Sequence, residues 1–147
     1  MKQKAVVRPY HPRLIVIYGG DNDIASGKSP ERVLADFQEF IRRVRATSTN
    51  IEVAMISIKP SPSRLAWLHD QKRANALMFD YARVQKNVTF LPIFDEFLDQ
   101  KGAPKREFFL ADQLHLSGSG YRVWKHILAP YLDRVLHPSP SLAPPRE

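Results

Sequence analysis

Two hydrophobic patterns alternate along the chain. Leu14-Ile15-Val16-Ile17-Tyr18 is an unbroken, largely β-branched run, the pattern of a strand covered on both faces and hence of a parallel sheet. Gly19-Gly20 ends it, and residues 21–28 read as a polar loop. Ser29 is placed as an N-cap, Pro30 occupies the first helical position and Glu31 falls in the first turn. Val33, Leu34, Phe37, Phe40, Ile41 and Val44 then share one face, which predicts a helix over about 30–46. A second strand is expected over 51–58. The two prolines of Lys59-Pro60-Ser61-Pro62-Ser63 exclude a strand interior there. A long helix over roughly 63–86 should bury Leu65, Leu68, Ala74, Leu77, Met78, Tyr81 and Val84. A short third strand over 88–93 and a helical turn over 94–98 follow. The last helix carries Tyr121, Val123, Trp124, Ile127, Leu128, Tyr131, Leu132 and Val135, with Pro130 inside it and expected to kink it. Strands alternating with helices imply an α/β fold with a parallel sheet and right-handed crossovers.

Composition changes this picture little. A length of 147 residues with 44% hydrophobic and 25% charged residues suits one ordinary globular domain. We assign that domain to 1–136 and expect a disordered Pro-rich tail over 137–147. With no cysteine, disulfide and thiolate chemistry are excluded. No apolar run reaches membrane-spanning length, and Met1-Lys2-Gln3-Lys4-Ala5 lacks the apolar core of a secretion signal, so the chain as it stands is expected in the cytoplasm, without a membrane partner. The net charge of +7 invites a nucleic-acid reading. The Lys and Arg are dispersed, however, and no aromatic-interleaved basic stripe appears, so the charge reads as a solvated surface.

Candidate chemistry lies in two stretches. Asp112 and His115 are three residues apart on one turn, where a carboxylate can fix an imidazole tautomer and stabilise the imidazolium that forms on proton uptake. The plainer reading is a capped turn before a helix. The second stretch is the loop after the first strand, where an open α/β sheet binds its ligands. Gly27-Lys28-Ser29 there suggests a phosphate loop, but the glycine needed five positions earlier is Asn22. Pro30 also lacks an amide where the helix should donate, and Asp21 and Asp23 would repel phosphate. Read instead as Gly20-Asp21-Asn22-Asp23, the loop presents a side-chain amide able to donate to an oxyanion. Asn22 and Asp23 can equally make turn bonds to their own backbone.

Together, Gly20-x-Asn22-Asp23 after a parallel strand and Asp112-x-x-His115 before the C-terminal helix resemble the SGNH hydrolases, also called GDSL-type esterases and lipases. The flanks agree: Gly-Asp-Asn-Asp-Ile, a Lys-Pro-Ser loop after the next strand, and Gly120-Tyr121 in the last helix. The resemblance covers residues 6–136 and implies a three-layer α/β/α fold. It implies that His115 is the general base, Asp112 its orienting acid, and Asn22 on its Gly20 turn the oxyanion donor. No cofactor or metal is implied, and the substrate would be a small ester, with short acyl groups and acetylated carbohydrates favoured.

The chain departs from the family pattern in one respect. The nucleophilic serine of a Gly-Asp-Ser motif and a second oxyanion glycine belong to strands before the Gly-x-Asn-Asp strand, and no Gly-Asp-Ser occurs here. The expectation is an N-terminally shortened sheet of about three strands with its nucleophile unknown. Ser26, Ser61 and Ser63 stand near the expected active edge, although turn and capping roles explain them. A non-catalytic α/β module, or a fragment that assembles with a partner chain, is the alternative. The Leu14–Tyr18 strand would become a bare apolar edge, for which a homodimer or larger assembly is expected.

Overall fold

The structure, a computed structural model, describes residues 10–137. Of the tail expected over 137–147, all but His137 lies outside the described residues, as does most of the segment ahead of the first strand. The elements are β1 (Leu14–Ile17), α1 (Asp21–Ala25), α2 (Pro30–Arg45), β2 (Glu52–Ile56), α3 (Leu68–Ala82), β3 (Val88–Leu91) and α4 (Gly118–Leu136). The three strands form one parallel sheet in the order β1-β2-β3. In register, Ile15 stands beside Val53 and Val53 beside Val88.

Alternation along β2 explains the layers. Val53 and Met55 point into a core built with Val33, Phe37, Phe40 and Ile41 of α2 and Ala74 and Met78 of α3. Ala54 and Ile56 point the other way, into a core with Leu91, Ile93, Phe97, Phe109, Leu116 and Tyr131 of α4. Two helices on one face and one on the other give the expected three-layer α/β/α arrangement. Ser29 caps α2 by accepting from the Arg32 N–H at 3.2 Å, with Pro30 directly after it.

Four local expectations change. Residues 21–25 form a short helix within the stretch read as a polar loop. The helix expected from residue 63 begins as a 3-10 segment, Pro62–Trp67, and becomes α-helical at Leu68. Its buried side is only partly the one predicted: Ala74 and Met78 are buried, but Leu65 and Val84 are exposed, and Gln71 and Asn75 are buried as well. Asn75 earns its place by bonding both the N–H and the carbonyl of Ile58, at 2.7 and 2.9 Å, just past the end of β2. Finally, β1 is not covered on both faces. It has no strand on its outer side among the described residues, and Val16 is 40% exposed on the α4 face. The edge position expected for this strand is therefore observed.

A candidate active site at the strand ends

The turn after β1 is shaped by Gly20. Its φ of 102° is a left-handed conformation that disfavours side chains, and an added Cβ would lie 2.7 Å from Ile58 Cδ1. The Gly20 carbonyl accepts from the Ile24 N–H at 3.0 Å and starts α1, whose first turn holds Asp21, Asn22 and Asp23. Asn22 is exposed. Asp23 stays at the surface, paired with Lys28 at 2.7 Å.

Asp21 does the opposite and turns inward. Its Oδ2 meets Lys59 Nζ at 3.0 Å and its Oδ1 accepts from Gln71 Nε2 at 3.2 Å, and all three residues are buried. A buried charge pair is retained only where such close partners offset its desolvation. Arg64, from the 3-10 segment after β2, adds a second cation: its Nε lies 3.9 Å from Asp21 Oδ1, and its Nη2 donates to Asn22 Oδ1 at 3.1 Å. Burial first, and the Asp21 carboxylate second, push the Tyr18 hydroxyl well above the ordinary tyrosine range, so it remains protonated.

The second turn is built locally. Phe97, fully buried, stacks edge-on against Phe108 (5.4 Å between centroids) and packs against Phe109 (5.8 Å), fixing the chain that leads to Asp112. Phe109 and Leu116 form an antiparallel bridge, and the Leu110 N–H donates to the His115 carbonyl at 2.7 Å. Gly120 lets α4 start against this turn, because a Cβ there would collide with the Phe108 carbonyl oxygen. Asp112 Oδ1 accepts from the Leu114 and His115 N–H groups at 2.9 and 3.0 Å, while Oδ2 stands 2.6 Å from His115 Nδ1. The His115 bond first, then the two backbone donors, hold the Asp112 carboxyl at about 2. With Nδ1 committed to the carboxylate, Nε2 is the nitrogen left for proton transfer. The pair is open to solvent: the His115 side chain is 73% exposed and that of Asp112 47%.

Residues 63 and 64 join the two turns. The Ser63 N–H donates to the Gln113 carbonyl at 3.1 Å, inside the Asp112–His115 turn, while Arg64 holds Asn22. All four predicted site residues, Gly20, Asn22, Asp112 and His115, thus lie on turns tied to the loop after β2. The serines do not complete the set. Ser61 is fully buried, Ser26 and Ser63 are exposed, and no serine hydroxyl bonds His115 among the described residues.

A family model described as GDSL-like lipase/acylhydrolase matches residues 2–123. The chain belongs to that family. Solved structures agree with the GDSL-like fold. A protein from Streptococcus pneumonia named for platelet activating factor is 28% identical, with a TM-score of 0.73 over 81% of this chain and 59% of its own. A GDSL-like lipase from Bacteroides thetaiotaomicron is 20% identical, with a TM-score of 0.69 over 84% of this chain and 63% of its own. A carbohydrate esterase family 3 protein from Talaromyces cellulolyticus is 14% identical, with a TM-score of 0.75 over 90% of this chain and 63% of its own. The latter two show the fold alone. The GDSL-like chain described here spans about three-fifths of the length of these structures. No curated protein matches it. No helix among its described residues is long and apolar enough to cross a membrane.

Sequence reasoning missed Lys59, Arg64 and Gln71, the residues that underpin the first turn. Their signal was weak: a Lys-Pro-Ser flank, and polar residues on a helix judged by its apolar positions alone.

Proposed function

We propose that this chain, one domain over 1–136, carries the base and oxyanion half of an ester hydrolase site. The observation behind this reading is the 2.6 Å contact between His115 Nδ1 and Asp112 Oδ2 on a turn linked, through residues 63 and 64, to Asn22. In the reaction, Asp112 keeps the Nδ1 proton of His115 in place, and Nε2 takes the proton from the attacking oxygen. That oxygen bonds to the ester carbonyl carbon, and the carbonyl oxygen becomes an oxyanion to which the Asn22 amide donates. Collapse breaks the bond to the alcohol, which leaves with the proton from His115. The substrates are esters of short acyl groups, acetylated carbohydrates among them; the fold shared with a carbohydrate esterase supports that choice.

Among the described residues no serine reaches His115, so the chain by itself uses water, and turnover is weak. A Gly-Asp-Ser segment pairing along the outer edge of β1 would supply the nucleophile. Co-expression with such a segment from a related hydrolase should raise p-nitrophenyl acetate hydrolysis far above that of the chain alone. A complex that forms without any gain in rate would favour the non-catalytic module.

The same edge supports a second reading of how the chain assembles. Beside β1 lies a groove of about 430 Å³, floored by Ile17, Val33, Phe37 and Phe40 and rimmed by Lys28, Asp36 and Arg43. Unpaired strand amides next to an apolar groove recruit another strand. A second copy related by a two-fold axis satisfies both edges, so a homodimer or larger assembly forms on residues 14–18. Ile15→Lys or Val16→Lys should dissociate or precipitate it. A stable monomer of the unaltered chain at high concentration, by light scattering, would exclude this assembly.

A further inference from the structure

Arg64 occupies an unusual position. Its backbone (φ −112°, ψ 19°) breaks the 3-10 segment of Pro62–Trp67, and its N–H is tied to the Ser61 carbonyl at 3.0 Å. Its side chain, 23% exposed, lies with its guanidinium carbon 5.7 Å from the centre of the Trp67 ring. The two oxygens of the neighbouring Asp21 carboxylate each accept one hydrogen bond, from Lys59 and from Gln71. At 3.9 Å Asp21 holds the guanidinium by charge alone, and Arg64 Nε is buried with no hydrogen-bond partner among the described residues. The one side-chain hydrogen bond Arg64 makes among the described residues is Nη2 to Asn22 Oδ1.

We infer that Arg64 is the positioning residue of the oxyanion donor: it fixes the orientation of the Asn22 amide and strengthens its N–H groups. The inference rests on the proposed role of Asn22. A guanidinium only donates, so it selects the Asn22 oxygen and leaves both Nδ2 hydrogens for an acceptor on the substrate. Unaided, an exposed asparagine rotates and presents either end. A charge-assisted bond to the amide oxygen also draws electron density from the nitrogen and makes its hydrogens better donors, as linked hydrogen bonds polarise one another. Arg64 itself needs no contact with the substrate.

The test is a cycle of variants on the full chain with p-nitrophenyl acetate. Asn22→Ala should lower kcat by about 10²–10³-fold, the usual effect of losing one oxyanion donor. Arg64→Met should lower kcat by about ten- to a hundredfold, as expected for one hydrogen bond to a charged group, with KM little changed. Arg64→Lys should recover part of that loss. The double variant Asn22→Ala/Arg64→Met should be no slower than Asn22→Ala alone, because Arg64 acts only through the amide. Losses that multiply would overturn the inference and give Arg64 an independent role. A second readout does not depend on turnover. The Asn22 side-chain NH2 resonances should move in Arg64→Met and return toward their original positions in Arg64→Lys. Resonances unmoved in a folded Arg64→Met chain would also overturn the inference. If His115→Ala and Asn22→Ala both leave hydrolysis unchanged, the esterase reading fails, and the amide resonances still decide whether Arg64 orients Asn22.

Discussion

The two turns of the site are built in opposite ways. The Gly20–Asn22 turn is held from a distance: Lys59, Arg64 and Gln71 reach it from 38 to 50 positions along the chain, and its central charge pair is buried. The Asp112–His115 turn is held by its neighbours, with its principal bonds lying between residues 106 and 117, and its carboxylate–imidazole pair faces water. The first is rigid because breaking it strands a buried charge. The second keeps its geometry through short local bonds, but solvent weakens the electrostatic advantage of its carboxylate–imidazole hydrogen bond. An oxyanion donor benefits from the first design because preorganisation is its whole contribution. The proposed general base on the second design keeps its tautomer while its ring stands open to solvent among the described residues, which fits the proposed completion of the site by a further segment.

The contrast can be broken most sharply at Asp21. Asp21→Ala leaves Lys59 buried and unpaired and should destabilise the fold by about 3–5 kcal/mol, whereas joint replacement by Asp21→Leu and Lys59→Met should recover much of that loss, short of the part that Gln71 and Arg64 draw from Asp21. Denaturant melts of the single and double variants measure both. At the other turn, Asp112→Asn should scarcely move the melting midpoint but should remove most of the His115-dependent rate, since the amide stabilises neither the tautomer nor the imidazolium. Comparing its melt and its rate with those of Asp21→Ala separates a turn held by local bonds from one whose support also holds the fold. The smallest effect is in acid. The Asp112 carboxyl titrates at about 2, below its ordinary 3.8, because His115 and two backbone N–H groups favour its charged form. Its contribution to stability is therefore present above the ordinary carboxylate range and is lost as pH falls toward 2. A carbon-detected NMR titration should place the midpoint near 2, and His115→Ala should move it upward.

The same contrast explains how much was legible in the sequence. Asp112 and His115 could be read because their partnership spans three residues, and the 30–46 helix because Ser29, Pro30 and its apolar stripe all agree with Pro30–Arg45. Asn22 could be singled out through its glycine turn, but not its support. Nothing local says that Asp21 turns inward while Asp23 turns out to Lys28, or that Lys59, in a proline-rich loop, ends buried beside Asp21. The long helix shows the same limit. Its apolar positions pointed to Leu65 and Val84, yet the packed side includes Gln71 and Asn75, buried because Asp21 and the Ile58 backbone need partners. Periodicity finds where oil goes and misses polar groups buried to satisfy other polar groups.

The most direct measurement is the rate of p-nitrophenyl acetate hydrolysis by the purified chain and by His115→Ala across neutral pH. The expected result is slow turnover by the chain that falls to the solvent rate in His115→Ala. Equal rates for the two proteins at every pH, or fast turnover with a serine of this chain trapped by a serine-selective inhibitor, would contradict it.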